Sequence, residues 1–306
     1  MCAAKNILLI NDLPGYGKVA LAAMVPILSR KGHAVFQLPT AVISNTLDYG
    51  KFCIQDMTDY MRSTLKVWKE LGFSVDCVCT GFIVSEEQAE FIGEYINSLT
   101  SNFISESGIC RAPAQPACPN RREGKKPLVM VDPIMADGGK LYNGIGPERV
   151  AAMKKLATYA DVMIPNMTEA SFLTGIRPGQ EKGTEEQLRE LTDGLRGISG
   201  KSVVITSAVK TICMENETTK ENHLVYGYDH WNQEYFQVPY ENLPVRVPGS
   251  GDIFSAVMTG ELLDGKGLKA SVQKAVKVLA DLIEENKDNL KRYKGILVER
   301  YLDKLD

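Results

Sequence analysis

Residues 6–38 read NILLINDLPGYGKVALAAMVPILSRKGHAVFQL, and the fold turns on this stretch. It opens on NILLI (6–10), an apolar run with no polar alternation, the pattern of a strand buried on both faces. Pro14, Gly15 and Gly17 then mark a turn. Apolar residues recur at helical spacing through about Ser29, and AVFQL (34–38) reads as a second strand. Strand, helix and strand in this order imply a βαβ unit with parallel pairing.

The rhythm repeats outward from this unit. A helical pattern at 55–71 leads to VDCVCTG (75–81), and a second at 86–99 precedes PLVMVDP (127–133). Helices at 147–158 and about 184–196 flank DVMIPN (161–166) and SVVITS (202–207). The short runs TICME, HLVYGY and EYFQV, between 211 and 238, suggest antiparallel strands at one sheet edge. Helices at about 251–263 and 267–285 finish the pattern. The expected class is α/β: a doubly wound, mostly parallel sheet with helices on both faces and a small antiparallel edge. No repeat or linker divides residues 1–306, so one domain is expected. Residues 100–126, with three prolines and a basic end (Arg121, Arg122, Lys125, Lys126), read as a long solvated surface loop.

Composition narrows the function. The 306 residues are 44% hydrophobic and 24% charged, an ordinary globular balance. A net charge of -3 gives no reason to expect a nucleic-acid partner, and an anionic ligand would need a metal ion or a local positive site. The first apolar run is too short for a signal-peptide core or a membrane span, and no later run approaches that length. A cytoplasmic protein is expected. Seven scattered cysteines with no CxxC and only three histidines fit reduced thiols better than disulfides or zinc. Cys77 and Cys79 should share one face of their strand.

The sharpest chemical signal is VPGSGDIFSAVMTGELL (247–263). Gly249 and Gly251 flank Ser250, Asp252 follows, and a helix begins at once. Such a turn can bring backbone N–H groups to a ligand, and the helix start adds partial positive charge for an anion. A carboxylate in the first turn could accept a hydroxyl proton. Alone, this pattern is also that of an ordinary capped helix. VDPIMADGGKLY (131–142) adds Asp132 and Asp137, and DVMIPNMTEASFLTG (161–175) adds Asn166 and Glu169, all beyond the carboxyl ends of expected strands. That rim is where open α/β sheets bind ligands, and these oxygen donors suit Mg²⁺. Together the segments point to phosphoryl transfer. Gly15-Tyr16-Gly17-Lys18 does not, because Asp12 stands where a phosphate loop needs its first glycine and Val19 follows the lysine.

The combination VDPIM, IPNMTEA and GSGDIFSAV resembles the ribokinase-like superfamily. Within it, VISNTLDYGKF (42–52) and INDLPGYGKVAL (10–21) are similar to segments of the pyridoxal kinases. The resemblance runs from about residue 5 to residue 285. It implies ATP-dependent phosphorylation of the 5′-hydroxymethyl group of pyridoxal, pyridoxine or pyridoxamine, with Mg²⁺, an accessory monovalent cation and a homodimer. It casts Asp252 as the base, and the amides of Gly249, Ser250 and Gly251 as the anion hole. Asp132, Asp137 and Glu169 would organise the metal and its waters together with Asn166, which with Thr206 and Ser207 would also meet the nucleotide. Asp12 and Thr46 would face the vitamer, with Val42 and Tyr49 nearby. The chain departs from the family where Asp12-Leu13 replaces the usual Ser-His, where Thr46-Leu47 replaces His-Thr, and where Ser250 replaces Thr. A hydroxymethylpyrimidine kinase of thiamine synthesis shares fold and mechanism, and a non-catalytic vitamer-binding protein is the alternative of another class. A sugar kinase fits less well, since such members usually carry a fuller lid.

Overall fold

The computed structural model describes residues 3–101, 126–142, 145–177, 182–213, 219–243, 246–288 and 295–305. The chain begins β1 (Asn6–Pro14), α1 (Ala20–Arg30), β2 (Ala34–Ile43), β3 (Ile54–Asp56), α2 (Thr58–Glu70), β4 (Cys77–Thr80) and α3 (Glu86–Ser101). It continues β5 (Leu128–Val131), the hairpin β6 (Ala136–Asp137) and β7 (Lys140–Leu141), α4 (Pro147–Ala157), β8 (Val162–Met163) and α5 (Met167–Thr174). Then follow β9 (Lys182–Gly183), α6 (Glu185–Ser199), β10 (Ser202–Cys213), β11 (Thr219–Asp229), β12 (Glu234–Pro239), α7 (Ser250–Leu263) and α8 (Leu268–Asn286).

The main sheet runs β12-β11-β10-β8-β5-β4-β1-β2-β3, with β9 on β10. From β2 through β1, β4, β5 and β8 to β10 every pairing is parallel. Alternation along β1 decides the layers. Leu8 and Ile10 join a core with residues of α2, α3, α4, α5 and α6, whereas Ile7 and Leu9 join a second core with α1, α7 and α8. All four side chains are fully buried, which is why the run shows no polar alternation. The expected doubly wound α/β sheet with helices on both faces is present.

Four expectations change in detail. Antiparallel strands close both edges, β10-β11-β12 on one side and β2-β3 on the other. Residues 55–71 are not one helix: Gln55 pairs in β3, and the Asp56 carboxylate accepts the Thr58 N–H at 2.7 Å to start α2. The competing signal was a short polar side chain that favours a turn over a continued helix. The segment 161–166 contributes only Val162–Met163 as strand, and Ser202–Cys213 is much longer than SVVITS. The loop reading at 100–126 falls almost wholly outside the described residues. Its last residue, Lys126, pairs with Asp161 at 3.2 Å.

Cys77 and Cys79 are buried and reduced, with sulfurs 3.7 Å apart. The Cys79 contact and then burial push the Cys77 thiol up, so it packs as a small apolar group. Among the described residues no helix is long and apolar enough to cross a membrane.

Candidate active site

The chain crosses from β1 to β2 on one side and returns to β4 on the other, so the winding reverses beside β1. A cleft of about 730 Å³ opens at the carboxyl ends of the strands, where a doubly wound sheet places its ligands. That volume lies within the usual range for small-molecule sites.

Asp252 lies on the cleft wall in the first turn of α7. The Asn11 carboxamide donates from Nδ2 to Asp252 Oδ1 at 3.2 Å, and the Ala20 backbone N–H also reaches this carboxylate. Ala20 starts α1, whose N-cap Val19 offers no side-chain oxygen, so the orphan amides of two helix starts face one buried acid. Burial raises Asp252 to about 6, with these hydrogen bonds opposing the rise. A carboxylate poised near working pH is suited to accept a proton. Ala20 holds φ +47°, a sparsely populated conformation for a residue with a Cβ, directly at this site.

Gly249 has φ +84°, and a Cβ there would overlap the Lys18 carbonyl oxygen. The loop before α1 therefore packs straight against the start of α7. The anion hole expected from three amides is altered in one member: the Ser250 N–H turns back to Val247 O at 3.2 Å, completing the turn that enters the helix. Lys18 pairs with Glu299 and does not line the cleft, in keeping with the rejection of a phosphate loop.

Asp132 and Glu169 are drawn in from the neighbouring rims. Ser255 Oγ, one turn beyond Asp252 on α7, donates to Asp132 Oδ2 at 2.8 Å. Burial and then the Asp252 charge raise Asp132 to about 7. The oxygens of Glu169 are occupied by backbone: Oε1 accepts from Met135 at 3.0 Å and Ala136 at 3.4 Å, and Oε2 from Asn166 at 2.9 Å. Asn166 Oδ1 accepts the Glu169 N–H in return, a capping box for α5. Burial and Asp132 push Glu169 up while the three N–H groups oppose them. Glu169 thus braces the rim that presents Asp132. Glu169→Gln exchanges an acceptor for a donor against these amides, so a stability loss of about 1–3 kcal/mol is expected by denaturant titration. Asp137 is more open, capping Gly138 at 2.9 Å and lying 3.9 Å from Arg246.

Thr206 bridges to Asn166 across the strands and lines the cleft with Ser207. Ser207 sits in a bulge of β10 with φ +54°, a second strained residue at the rim. Asp12 and Thr46 also line the cleft, and the buried Thr46 hydroxyl has no hydrogen-bond partner among the described residues. Val42 and Tyr49 do not line it. Strand alternation gives the cleft side to Ile43, and the half-exposed Tyr49 ring packs on Tyr16 with centroids 5.9 Å apart. Sequence reading also passed over Asn11, Ser255, Lys140 and Arg246. Asn11 could have been found as the first polar residue after an apolar strand, and Ser255 by its i+3 spacing from Asp252.

The sheet and the glycine-framed helix start define a ribokinase-like small-molecule kinase fold. The family model described as phosphomethylpyrimidine kinase matches residues 117–297, and the chain belongs to this family. It is 25% identical over 281 residues to the pyridoxine/pyridoxal/pyridoxamine kinase of Bordetella avium, covering 88% of this chain and 81% of that one. A candidate phosphomethylpyrimidine kinase of Bacteroides thetaiotaomicron, solved with pyridoxal, superposes with TM-score 0.82 at 32% identity, covering 99% and 96% of the two chains. The pyridoxal kinase of Leishmania donovani, solved with ADP and pyridoxamine, shares the fold with TM-score 0.76 at 23% identity, covering 98% and 95%.

Proposed function

We propose that this protein transfers the γ-phosphoryl group of ATP to the 5′-hydroxymethyl oxygen of a B6 vitamer. The observation that carries the reading is Asp252: a buried carboxylate at about 6, held by Asn11 and the Ala20 amide beside a glycine-framed helix start. In this reading Asp252 takes the hydroxyl proton as the oxygen attacks phosphorus in line, and the bond to the ADP oxygen breaks. The Gly249 and Gly251 amides and the α7 dipole stabilise charge on the transferring group. Thr206, Ser207 and Asn166 lie on the side assigned to the nucleotide, and Asp12 and Thr46 on the side assigned to the vitamer ring.

The residues fit Mg²⁺ in a particular way. Among the described residues no three His, Cys, Asp or Glu side chains form a metal cage. Half-buried Asp132, held up near 7 without a cation, is the principal protein ligand in this proposal. Asp137 and the Glu169-braced rim act through waters, since Mg²⁺ commonly keeps waters and shares substrate phosphates. When bound, the ion neutralises charge on the phosphates. The resemblance extends the proposal to a monovalent cation, a single kinase domain and a cytoplasmic homodimer.

The family description also suits hydroxymethylpyrimidine, another heteroaromatic ring with a CH₂OH group. An ATP-consumption assay with Mg²⁺ against pyridoxal, pyridoxine, pyridoxamine and hydroxymethylpyrimidine decides the acceptor. Turnover of a vitamer is expected, turnover of the pyrimidine alone would move the acceptor, and none with any of the four would overturn kinase activity on this class. For the active acceptor, kcat/KM should decline as pH falls through about 6, because protonated Asp252 cannot accept the proton. A profile flat from pH 5 to 8 would remove Asp252 as base.

A further inference from the structure

Asp12 stands at the carboxyl end of β1, buried on the cleft wall. One carboxamide links it to the reacting centre: Asn11 Oδ1 accepts the Asp12 N–H at 3.0 Å, while Asn11 Nδ2 donates to Asp252 Oδ1 at 3.2 Å. Among the described residues no side chain donates a hydrogen bond to the Asp12 carboxyl. The cleft's described cationic side chains, Lys140 and Arg246, belong to other rims, and Arg246 lies 3.6 Å from Asp48 and 3.9 Å from Asp137. Burial and the Asp252 charge raise Asp12 to about 7. A buried acid with no cation paired to it is costly to ionise, and a ligand bearing an N–H cation would relieve that cost.

Asp12 and Asp252 line the same cleft, and the Asp252 charge acts on Asp12. If Asp252 takes the hydroxymethyl proton, Asp12 is placed to meet a ring substituent next to that hydroxymethyl. This substituent is an aldehyde in pyridoxal, a hydroxymethyl in pyridoxine and an aminomethyl in pyridoxamine. Hydroxymethylpyrimidine also carries an amino group there. We propose that Asp12 is a specificity-determining residue, accepting a hydrogen bond from an amino group ortho to the reacting hydroxymethyl and so favouring pyridoxamine over pyridoxal. This rests on the kinase reading above. Pairing with an ammonium also neutralises Asp12 and leaves Asp252 free to stay ionised as the base.

The test is the ratio of kcat/KM for pyridoxamine to that for pyridoxal, in the full-length wild type and in Asp12→Asn and Asp12→Ser. The ratio is expected to fall at least tenfold in both variants, through a raised KM for pyridoxamine. A ratio within twofold of wild type, or a loss confined to kcat, would overturn the role. Calorimetry on the wild type at pH 8 needs no variant. Pyridoxamine should bind at least fivefold tighter than pyridoxine, and equal affinities would overturn the proposal. Wild type inactive on every vitamer would overturn the kinase reading itself and this role with it. Wild-type turnover with an unchanged ratio in the variants would overturn Asp12 alone.

Discussion

Asp252→Asn is expected to lower kcat roughly 10³-fold while the KM for ATP stays within about threefold, since a general base acts in the transition state and contributes about 10²–10⁴. Stability should move the other way. Burial lifts Asp252 from 3.8 to about 6, so the folded protein holds this proton more tightly than the unfolded chain. The sign follows: the stability linked to this group is fully present below about pH 4 and is lost as pH rises through about 6. At pH 8 the wild type has forgone about 3 kcal/mol relative to acid, at 1.36 kcal/mol per pKa unit, a loss that an uncharged asparagine does not incur. The variant should therefore melt at or above the wild-type temperature at pH 8. A variant both inactive and less stable would mean that Asp252 serves the fold, whereas near-normal turnover would remove it as the base.

Gly249→Ala should carry the largest structural effect of a single methyl group. The residue needs φ +84°, which costs an alanine about 1–2 kcal/mol. Its Cβ would also meet the Lys18 carbonyl oxygen, which is backbone and cannot swing aside as a side chain could. Together these should cost roughly 2–4 kcal/mol, and the thermal midpoint should drop by several degrees. Relief requires the β1–α1 loop and the α7 start to separate, which shifts the Ala20 amide off Asp252, so kcat should fall at least tenfold. Gly251→Ala is the control for the fold: a Cβ there meets open space, and the helical backbone should be unchanged or slightly more stable. Equal melting temperatures for the two variants would show that the close approach at Gly249 is not a constraint.

These effects share one physical origin. Asn11 and Ala20 come from β1 and α1 near the start of the chain, yet both reach Asp252 on α7, whose Ser255 holds Asp132. Burial first, and then the neighbouring carboxylates, push up Asp12, Asp132 and Glu169, while burial alone raises Asp252. Cations, or substrates carrying them, complete such a site.

The layered fold was legible in the chain because burial leaves a periodic trace. NILLI is apolar throughout since Leu8 and Ile10 enter one core and Ile7 and Leu9 the other. Glycine-framed Asp252 was legible because a left-handed turn before a helix demands Gly249 locally. The rims carrying Asp132 and Asn166 followed from strands ending there. Non-local geometry left no such trace. Val42 and Ile43 differ by one residue, and only pairing of β2 with β1 and β3 gave the cleft to Ile43. Nothing in the sequence around Glu169 showed that its oxygens accept the Met135, Ala136 and Asn166 amides. The sequence by itself determined the layers and the chemical types at the strand ends, because those depend on local conformation and periodic burial. Tertiary structure alone decided which lone pairs stay open to a ligand, because that depends on which distant amides and hydroxyls the fold brings within hydrogen-bond reach.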